Sequence, residues 1–367
     1  MTAGVTPRSI STNRAVINLS ACRHNLSVAK KSAPDSKCIA VIKANGYGHG
    51  MVEIANALKD ADAFAVARLE EAITLRDAGI THPILLLEGF TSADELMLVQ
   101  KYQLDSVIHT ITQVQLLEQS KAEAITAVVK IDTGMHRLGF NPDEIKNIQQ
   151  QLEKYTSVNN PVKFMTHFSN ADDKQDDKTL KQIDVFYQTI EKLPQAEVSL
   201  ANSAGILGWP QSHASWNRPG IMLYGVSPFI NSTASDHDLK PVMTLQSYLL
   251  SVKKIRKGEA IGYGGTYVCD KDMTVGVVAI GYGDGYPRHA KTGTPVLVNN
   301  KSSHLLGRVS MDMICVDLSE QTTAQVNDPV VLWGEGLAVE EVAAYSDTIG
   351  YELLCGVTKR VEFQYTD

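Results

Sequence analysis

The sequence predicts an α/β chain in which a (β/α)8 barrel is followed by a second, β-rich domain, and three observations carry that expectation. Short apolar runs recur from Cys38 to Tyr224 with segments of helical period between them, the alternation that a closed parallel barrel requires. After the polar stretch Asp236–Lys240 and Pro241 the texture changes to short, turn-separated apolar runs without long helices between them. No Gly-x-Gly-x-x-Gly follows the first run, which disfavours the runner-up, an open doubly wound sheet. The predicted boundaries are 15–240 for the barrel and 241–367 for the β-rich domain, with 1–14 set against the latter.

In chain order, Ala15–Leu19 reads as a strand that precedes the barrel and can pair with the second domain. The barrel strands are read at Cys38–Lys43, Ala63–Ala67, Ile84–Leu87, Ser106–His109, Ala127–Ile131, Lys163–His167, Glu197–Ala201 and Met222–Tyr224. Unbroken apolar runs fit strands buried on both faces. Met51–Lys59, Leu69–Ala78, Ala93–Lys101 and Lys178–Lys192 carry apolar residues at helical spacing. In the second domain Leu245–Val252, Thr274–Ile280, Pro295–Val298, Met313–Val316 and Val330–Trp333 read as strands, and Ala338–Ser346 as one late helix.

Composition narrows the class. The chain is 44% hydrophobic and 20% charged with a net charge of −7, ordinary for a soluble enzyme and wrong for a protein that holds nucleic acid or anionic membrane through a positive field. Met1–Arg14 is polar and no apolar stretch follows it, so neither a signal peptide nor a membrane span is expected and the chain reads as cytoplasmic. The cysteines Cys22, Cys38, Cys269, Cys315 and Cys355 are widely spaced with no Cys-x-x-Cys pair, so no metal site or disulfide framework is expected.

The most informative stretch is Lys37-Cys-Ile-Ala-Val-Ile-Lys-Ala-Asn-Gly-Tyr-Gly-His-Gly50. A lysine at the exit of a buried strand is poorly hydrated, which favours its neutral, nucleophilic amine and suits a Schiff base. Such a lysine also commonly does no more than extend to solvent. Barrel enzymes gather function at strand C-termini, and polar residues gather here at the corresponding places, Asp132 to Arg137, His167 to Asp172 and Asn202 to Gly205, while Arg218 to Ile221 enters the eighth strand. The Asn202 to Gly205 segment offers a hydroxyl and N–H groups at a helix start, which suits a phosphate. Each group has a plainer reading. His167 fits a core histidine on a backbone carbonyl, Arg137 a surface ion pair, Ser203 a helix cap, and Arg218 a brace for its loop. Taken together with Lys43, the joint pattern favours function.

The stretch Ala40-Val-Ile-Lys-Ala-Asn-Gly-Tyr-Gly-His-Gly50 resembles the pyridoxal-phosphate lysine motif of the alanine racemase family, with Gly46 where the family more often has alanine. The resemblance runs from Ala15 to Val361. It continues through Lys130-Ile-Asp-Thr-Gly-Met-His-Arg-Leu-Gly139, Thr166-His-Phe-Ser, Arg218-Pro-Gly-Ile-Met-Leu-Tyr-Gly225, Gly262-Tyr-Gly-Gly-Thr-Tyr267, Ile280-Gly-Tyr-Gly-Asp-Gly-Tyr286 and Gly307-Arg-Val-Ser-Met-Asp312. Ser310 stands where some members have cysteine. The resemblance implies a racemase that interconverts L- and D-alanine with pyridoxal 5'-phosphate on Lys43 and supplies D-alanine for peptidoglycan. Lys43 would serve as base for the D-enantiomer and Tyr263 for the L-enantiomer. A phenol with a pKa of ~10 needs positive surroundings to do so, which the counterparts of His167 and Arg218 supply in the family. Arg218 would partner the pyridine nitrogen and, as a guanidinium, keep it unprotonated. Tyr47, Ser203, Gly220, Ile221 and Tyr351 would cradle the phosphate. Arg137 and the N–H of Met311 would clamp the substrate carboxylate and cofactor oxygen, and Lys130 would be carbamylated to orient Arg137, the plainer reading being a lysine paired with Asp132. Asp172, Tyr282, Arg288, Arg308 and Asp312 would line the approach path or serve as ordinary interface polar residues. The family further implies a homodimer whose subunits share active sites, and no metal.

The rival readings are a broad-specificity racemase of the same fold, a fold-related decarboxylase, a non-catalytic pyridoxal-phosphate carrier and a Schiff-base aldolase. The paired tyrosine motifs at Tyr263 and Tyr282 disfavour the decarboxylase. A carrier has no use for the β-rich domain, and an aldolase has none for a phosphate cradle.

Overall fold

The computed structural model describes residues 13–191, 193–194 and 196–367, so the expected packing of 1–12 lies outside the described residues. The chain divides into two compact units: Ala21–Lys240, and residues 13–20 together with Pro241–Asp367. The first strand, β1 (Arg14–Asn18), belongs with the β-rich unit, in line with the pairing expected of Ala15–Leu19, so the barrel begins at Ala21 and not at residue 15.

In the Ala21–Lys240 unit, parallel strands close on themselves in chain order: β2 (Lys37–Val41), β3 (Ala63–Val66), β4 (Ile84–Leu86), β5 (Asp105–Ile108), β6 (Ile125–Lys130), β7 (Val158–Met165), β8 (Val198–Ser199) and β9 (Trp216–Asn217), with β9 pairing back onto β2. All residues of β3 and β4 are buried, and all of β2 except Lys37, which is why they read as unbroken apolar runs. The intervening helices turn one face inward. Ile145–Leu152, for example, buries Ile145, Ile148, Gln149 and Leu152 at helical spacing. Ser92 and Thr110 begin two of them by accepting the N–H three residues on.

One predicted strand is wrong. The eighth barrel strand is Trp216–Asn217, and Ile221–Tyr224 is a turn of 3-10 helix with all its side chains buried. A run buried on every side has no periodicity, so apolar character could not separate strand from helical turn at Met222–Tyr224. The correction moves Arg218 from the start of a strand to the exit of β9, the same end of the barrel as the exit of β2.

In the second unit β1 pairs antiparallel with β10 (Met243–Ile255) and parallel with β18 (Glu362–Thr366). The strands β13 (Met273–Val278), β14 (Pro295–Val298), β15 (Lys301–Leu306), β16 (Ile314–Asp317) and β17 (Pro329–Trp333) complete the sheet, and β10 pairs with both β17 and β13, closing a ring. Leu249, Val278, Val296, Leu305, Val316 and Trp333 fill its interior. A short hairpin, β11 (Ala260–Ile261) with β12 (Tyr267–Val268), projects the turn that holds Tyr263. Neither β15 and β18 nor the helix Gly350–Gly356 had been anticipated. The two strands are polar on one or both faces, and the helix is short.

Candidate active site

Lys43 follows β2 after a single residue, Ile42, and opens a turn of the wrong hand. Ala44, Asn45, Gly46 and Tyr47 have φ of 52°, 54°, 63° and 49°, so the backbone makes a left-handed turn of which only one residue is glycine. The sequence had suggested a glycine-permitted turn. In fact three side-chain-bearing residues are held there, at roughly 1–2 kcal/mol each, and such strain persists only where the surroundings over-determine it. Met51 N donates to Asn45 Oδ1 at 3.1 Å, and His49 Nδ1 lies 2.9 Å from Tyr47 O and 3.1 Å from Gly46 O, so that nitrogen carries the proton and donates. Burial pushes the His49 imidazole down to about 4, which keeps it neutral in that role.

Tyr47, at the end of the turn, stacks on the buried ring of Tyr224 with centroids 4.6 Å apart, and Tyr224 Oη donates to Val41 O at 3.1 Å. A Cβ on Gly220 would lie 2.7 Å from Tyr47 Oη, so only glycine admits that hydroxyl. Ser203 Oγ accepts from Gly220 N at 2.9 Å and from Met222 N at 3.3 Å. The helix Ser203–Gly208 is capped by Asn202, whose Oδ1 accepts from Gly205 N at 2.9 Å, so the plainer reading of Ser203 as the cap does not hold. Tyr47, Ser203 and Gly220 thus meet in one place, with Ile221 next in the chain, and hydroxyls and backbone so gathered are of the kind that can hold a phosphate group.

Arg218 is only 3% exposed. Its Nη1 donates to Ser199 Oγ, and its Nη2 donates to Thr166 O at 2.6 Å and Leu200 O at 3.1 Å, with His167 Nδ1 at 3.4 Å. The expected loop brace is therefore real, but it uses three of five N–H donors and leaves others for a ligand. Burial lowers the guanidinium only to about 10, so it stays charged at neutral pH. Burial first, and then Arg218, Lys130, Arg137 and Lys43, hold His167 well below the ordinary histidine range. A neutral imidazole surrounded by cations is what the residues at this rim produce.

Lys130, the last residue of β6, is buried, and its ammonium is pushed down to about 8, first by burial and then by Arg218 and Arg137. Asp132 does not pair with it: Asp132 Oδ1 accepts from the N–H groups of Gly134 and His136, and Oδ2 lies 3.2 Å from His136 Nδ1. Arg137 is exposed on the same loop, and Asp172 is exposed after β7.

The remaining predicted residues lie in the β-rich unit. Tyr263 is 68% exposed on its turn, and the Arg308 guanidinium lies beside that turn, 3.4 Å from where a Cβ on Gly264 would sit. Tyr282 N donates to Ser310 O at 3.1 Å and Gly283 N to Met311 O at 2.8 Å, which holds Tyr282 against Met311. Met311 is itself 52% exposed. Asp312 is committed to Arg360 at 2.8 Å, and Arg360 also reaches Asp284 at 3.3 Å. Arg288 and Tyr351 are exposed as well. Each unit taken alone therefore carries only part of the predicted set.

Sequence reasoning missed Tyr224, Ser199 and Thr166. Tyr224 lay inside the quoted Arg218–Gly225 motif and was read as strand. A cavity of about 270 Å³ opens at the other end of the barrel, lined by Asp105, Lys163 and Glu197 among others. Its charges are largely spent on each other, Glu197 lying 2.8 Å from Lys163 and 3.0 Å from Lys37.

Fold and site together define a barrel enzyme with lysine and arginine side chains gathered at its strand C-termini. The family of alanine racemase N-terminal domains matches residues 17–228, and that of the C-terminal domains matches 242–365. The chain belongs to the alanine racemase family. It is 51% identical over 352 residues to an alanine racemase of Aeromonas hydrophila, covering 96% of this chain and 98% of that one. It is 49% identical to the biosynthetic alanine racemase of Escherichia coli K12, covering 96% and 98%. Among solved structures, the biosynthetic alanine racemase of Pseudomonas aeruginosa superposes with a TM-score of 0.95 at 43% identity, covering 98% and 100%. The alanine racemase of Bartonella henselae, described as having covalently bound pyridoxal phosphate, gives 0.87 at 30% identity, covering 97% and 100%.

Proposed function

We propose that this protein interconverts L- and D-alanine with pyridoxal phosphate, in the cytoplasm, as a homodimer with shared active sites that supplies D-alanine for the cell wall. The observation that carries the reading is the barrel end itself. Lys43 stands at the exit of β2, Arg218 is buried at the exit of β9, and Gly220 leaves room for the Tyr47 hydroxyl. Those residues fit the cofactor: a lysine for its aldehyde, a charged donor for its ring nitrogen, and a cradle of hydroxyls and N–H groups for its phosphate.

Bound there, pyridoxal phosphate supplies acidification of the substrate Cα–H. The protein does the rest. Tyr47, Ser203, Gly220, Ile221 and Tyr351 hold the phosphate. Arg137 and the N–H of the partner subunit's Met311 hold the carboxylate and fix the orientation of Cα. Lys43 takes or returns the Cα proton at Nζ on the face that serves D-alanine, and the partner subunit's Tyr263 does so at its phenolic oxygen on the other face. His167, neutral, lies with Nδ1 3.4 Å from Arg218 Nη2 and, with its proton on Nε2, donates towards that oxygen. Asp172, Tyr282, Arg288, Arg308 and Asp312 shape the approach. Alanine, serine, lysine and arginine enantiomers assayed side by side decide the substrate. Alanine should be turned over fastest, and comparable rates on lysine or arginine would replace this reading with a broad-specificity racemase.

Arg218 controls which reaction follows. Arg218→Glu should slow racemisation by roughly a hundredfold or more and bring up a long-wavelength absorbance band when alanine is added. It also strips the donors from the Thr166 and Leu200 carbonyls, costing about 2–4 kcal/mol of stability, so the melt is measured alongside. An unchanged rate with an unchanged spectrum means that Arg218 does not reach the ring.

Lys130 carries a carbamate in this reading. An amine with a pKa near 8 is about one-tenth neutral at pH 7, far more than an ordinary lysine, and the neutral amine is the form that captures carbon dioxide. The product reverses the charge and offers Arg137 a charge-assisted acceptor. Carbamylation should rise as pH climbs through 8 and appear in NMR with isotope-labelled bicarbonate. Its signal should vanish in Lys130→Ala, with KM rising roughly tenfold. A bare ammonium at saturating bicarbonate above that pH refutes it.

A further inference from the structure

We propose that Glu71 is the positioning residue for Lys43, holding the left-handed turn with one carboxylate oxygen and anchoring that hold in the next barrel loop with the other. Glu71 lies in the first turn of the helix Leu69–Asp77. Its Oε2 accepts from Ala67 N at 2.9 Å and Arg68 N at 3.1 Å, an ordinary reach back to a helix start. Its Oε1 does something that a helix start does not need. It accepts from Ala44 N at 2.6 Å, 27 residues away in sequence.

Ala44 is the first left-handed residue and follows Lys43 directly. Several other bonds at this turn are local: Gly46 N to Ile42 O, Gly48 N to Ala44 O, Gly50 N to Asn45 O, and Met51 N to Asn45 Oδ1. They shape the turn without fixing it to its neighbours. Glu71 ties it to the exit of β3, which pairs with β2 and whose Ala65 O accepts from Ile42 N at 2.9 Å. A carboxylate on a backbone N–H is about twice as strong as a neutral acceptor, and here it acts at the peptide that sets the direction in which Lys43 leaves the chain. A base contributes only within hydrogen-bond reach of its proton, and a misplacement of about 1 Å costs roughly a hundredfold.

The inference rests on the reading of Lys43 as the base on the D-alanine face, and the test separates the two. In Glu71→Gln one oxygen becomes an NH2 group, so the side chain can keep the helix start or the Ala44 bond but not both. Glu70→Gln, on an exposed neighbour, is the control. Amide hydrogen exchange is followed in the cofactor-free protein over 43–50 and 69–77, and racemisation is measured with alanine carrying deuterium at Cα. Exchange over 43–50 should speed up roughly tenfold with β6 unchanged. In the loaded enzyme kcat should fall roughly ten- to a hundredfold with KM moving far less. The isotope effect should grow with D-alanine, whose proton Lys43 removes. Glu71→Ala, which can make neither bond, is run beside Glu71→Gln, and unchanged exchange over 43–50 or an unchanged kcat in Glu71→Ala overturns the proposal and leaves Glu71 as a helix-start residue. If Glu71→Gln does not fold, Glu71→Asp, too short to span both loops, is read against the same outcomes. Failure of the unaltered protein to racemise alanine would defeat the functional reading, while the exchange measurement would still decide the clamp.

Discussion

Lys43→Ala should show no racemisation at any pH, a loss of at least about four orders of magnitude, because the cofactor anchor and one of the two bases vanish together. No neighbour can substitute. Lys130 lies at the end of a different strand with its amine buried, and Arg218 keeps its proton at neutral pH and is held by three protein acceptors. The fold should hardly notice. Lys43 is half-buried, and the bonds that hold the turn come from backbone groups, Asn45, His49 and Glu71, so the melt should shift by less than about 1 kcal/mol. The variant also removes one of the cations that press on Lys130 and His167, so both should titrate somewhat closer to their ordinary values. Substantial activity without an added amine would sink the assignment of Lys43.

The second large effect comes from mixing subunits. If the partner subunit's Tyr263 supplies the second base, Lys43→Ala and Tyr263→Phe homodimers are each crippled at both sites. A heterodimer of the two pairs an intact Lys43 with an intact Tyr263 at one site and neither at the other. Mixing after dissociation should therefore return up to about half of normal activity per heterodimer, as two-fold symmetry requires. The chain offers surface for such an interface in its β-rich unit, where Tyr263, Tyr282, Met311, Met313, Ile349 and Tyr351 are all more than a third exposed. No return of activity from verified heterodimers would place each site within a single chain.

Much of this was legible in the sequence, for physical reasons. Strands β2 to β4 are buried on both faces, so they stood out as unbroken apolar runs, and a barrel gathers polar groups at its strand exits, so Lys43 and His167 could be placed at the rim from their positions. The exit of the eighth strand was misread because β9 is two residues long and carries no period, while the buried Met222–Tyr224 imitates a strand. The left-handed run was half visible. Glycines at 46, 48 and 50 announced an unusual turn, but nothing local says that Ala44, Asn45 and Tyr47 join it. What holds them lies elsewhere in the chain: Glu71 reaches Ala44 across 27 residues, and Ser199 reaches Arg218 across 19. Such contacts are products of the closed barrel and leave no periodic trace.

In the proposed function, this chain inverts alanine through two bases and a carbonyl cofactor. The most direct measurement starts the purified, cofactor-loaded protein separately on L-alanine and on D-alanine in deuterated water, and follows optical rotation together with isotope content at Cα. Both reactions should converge on equal amounts of the enantiomers, with deuterium at Cα of the inverted product, and both should stop after the cofactor is stripped and resume when pyridoxal phosphate is returned. Rotation that stays constant from either side, or decays only as alanine is consumed to a keto acid, would rule out two-base racemisation.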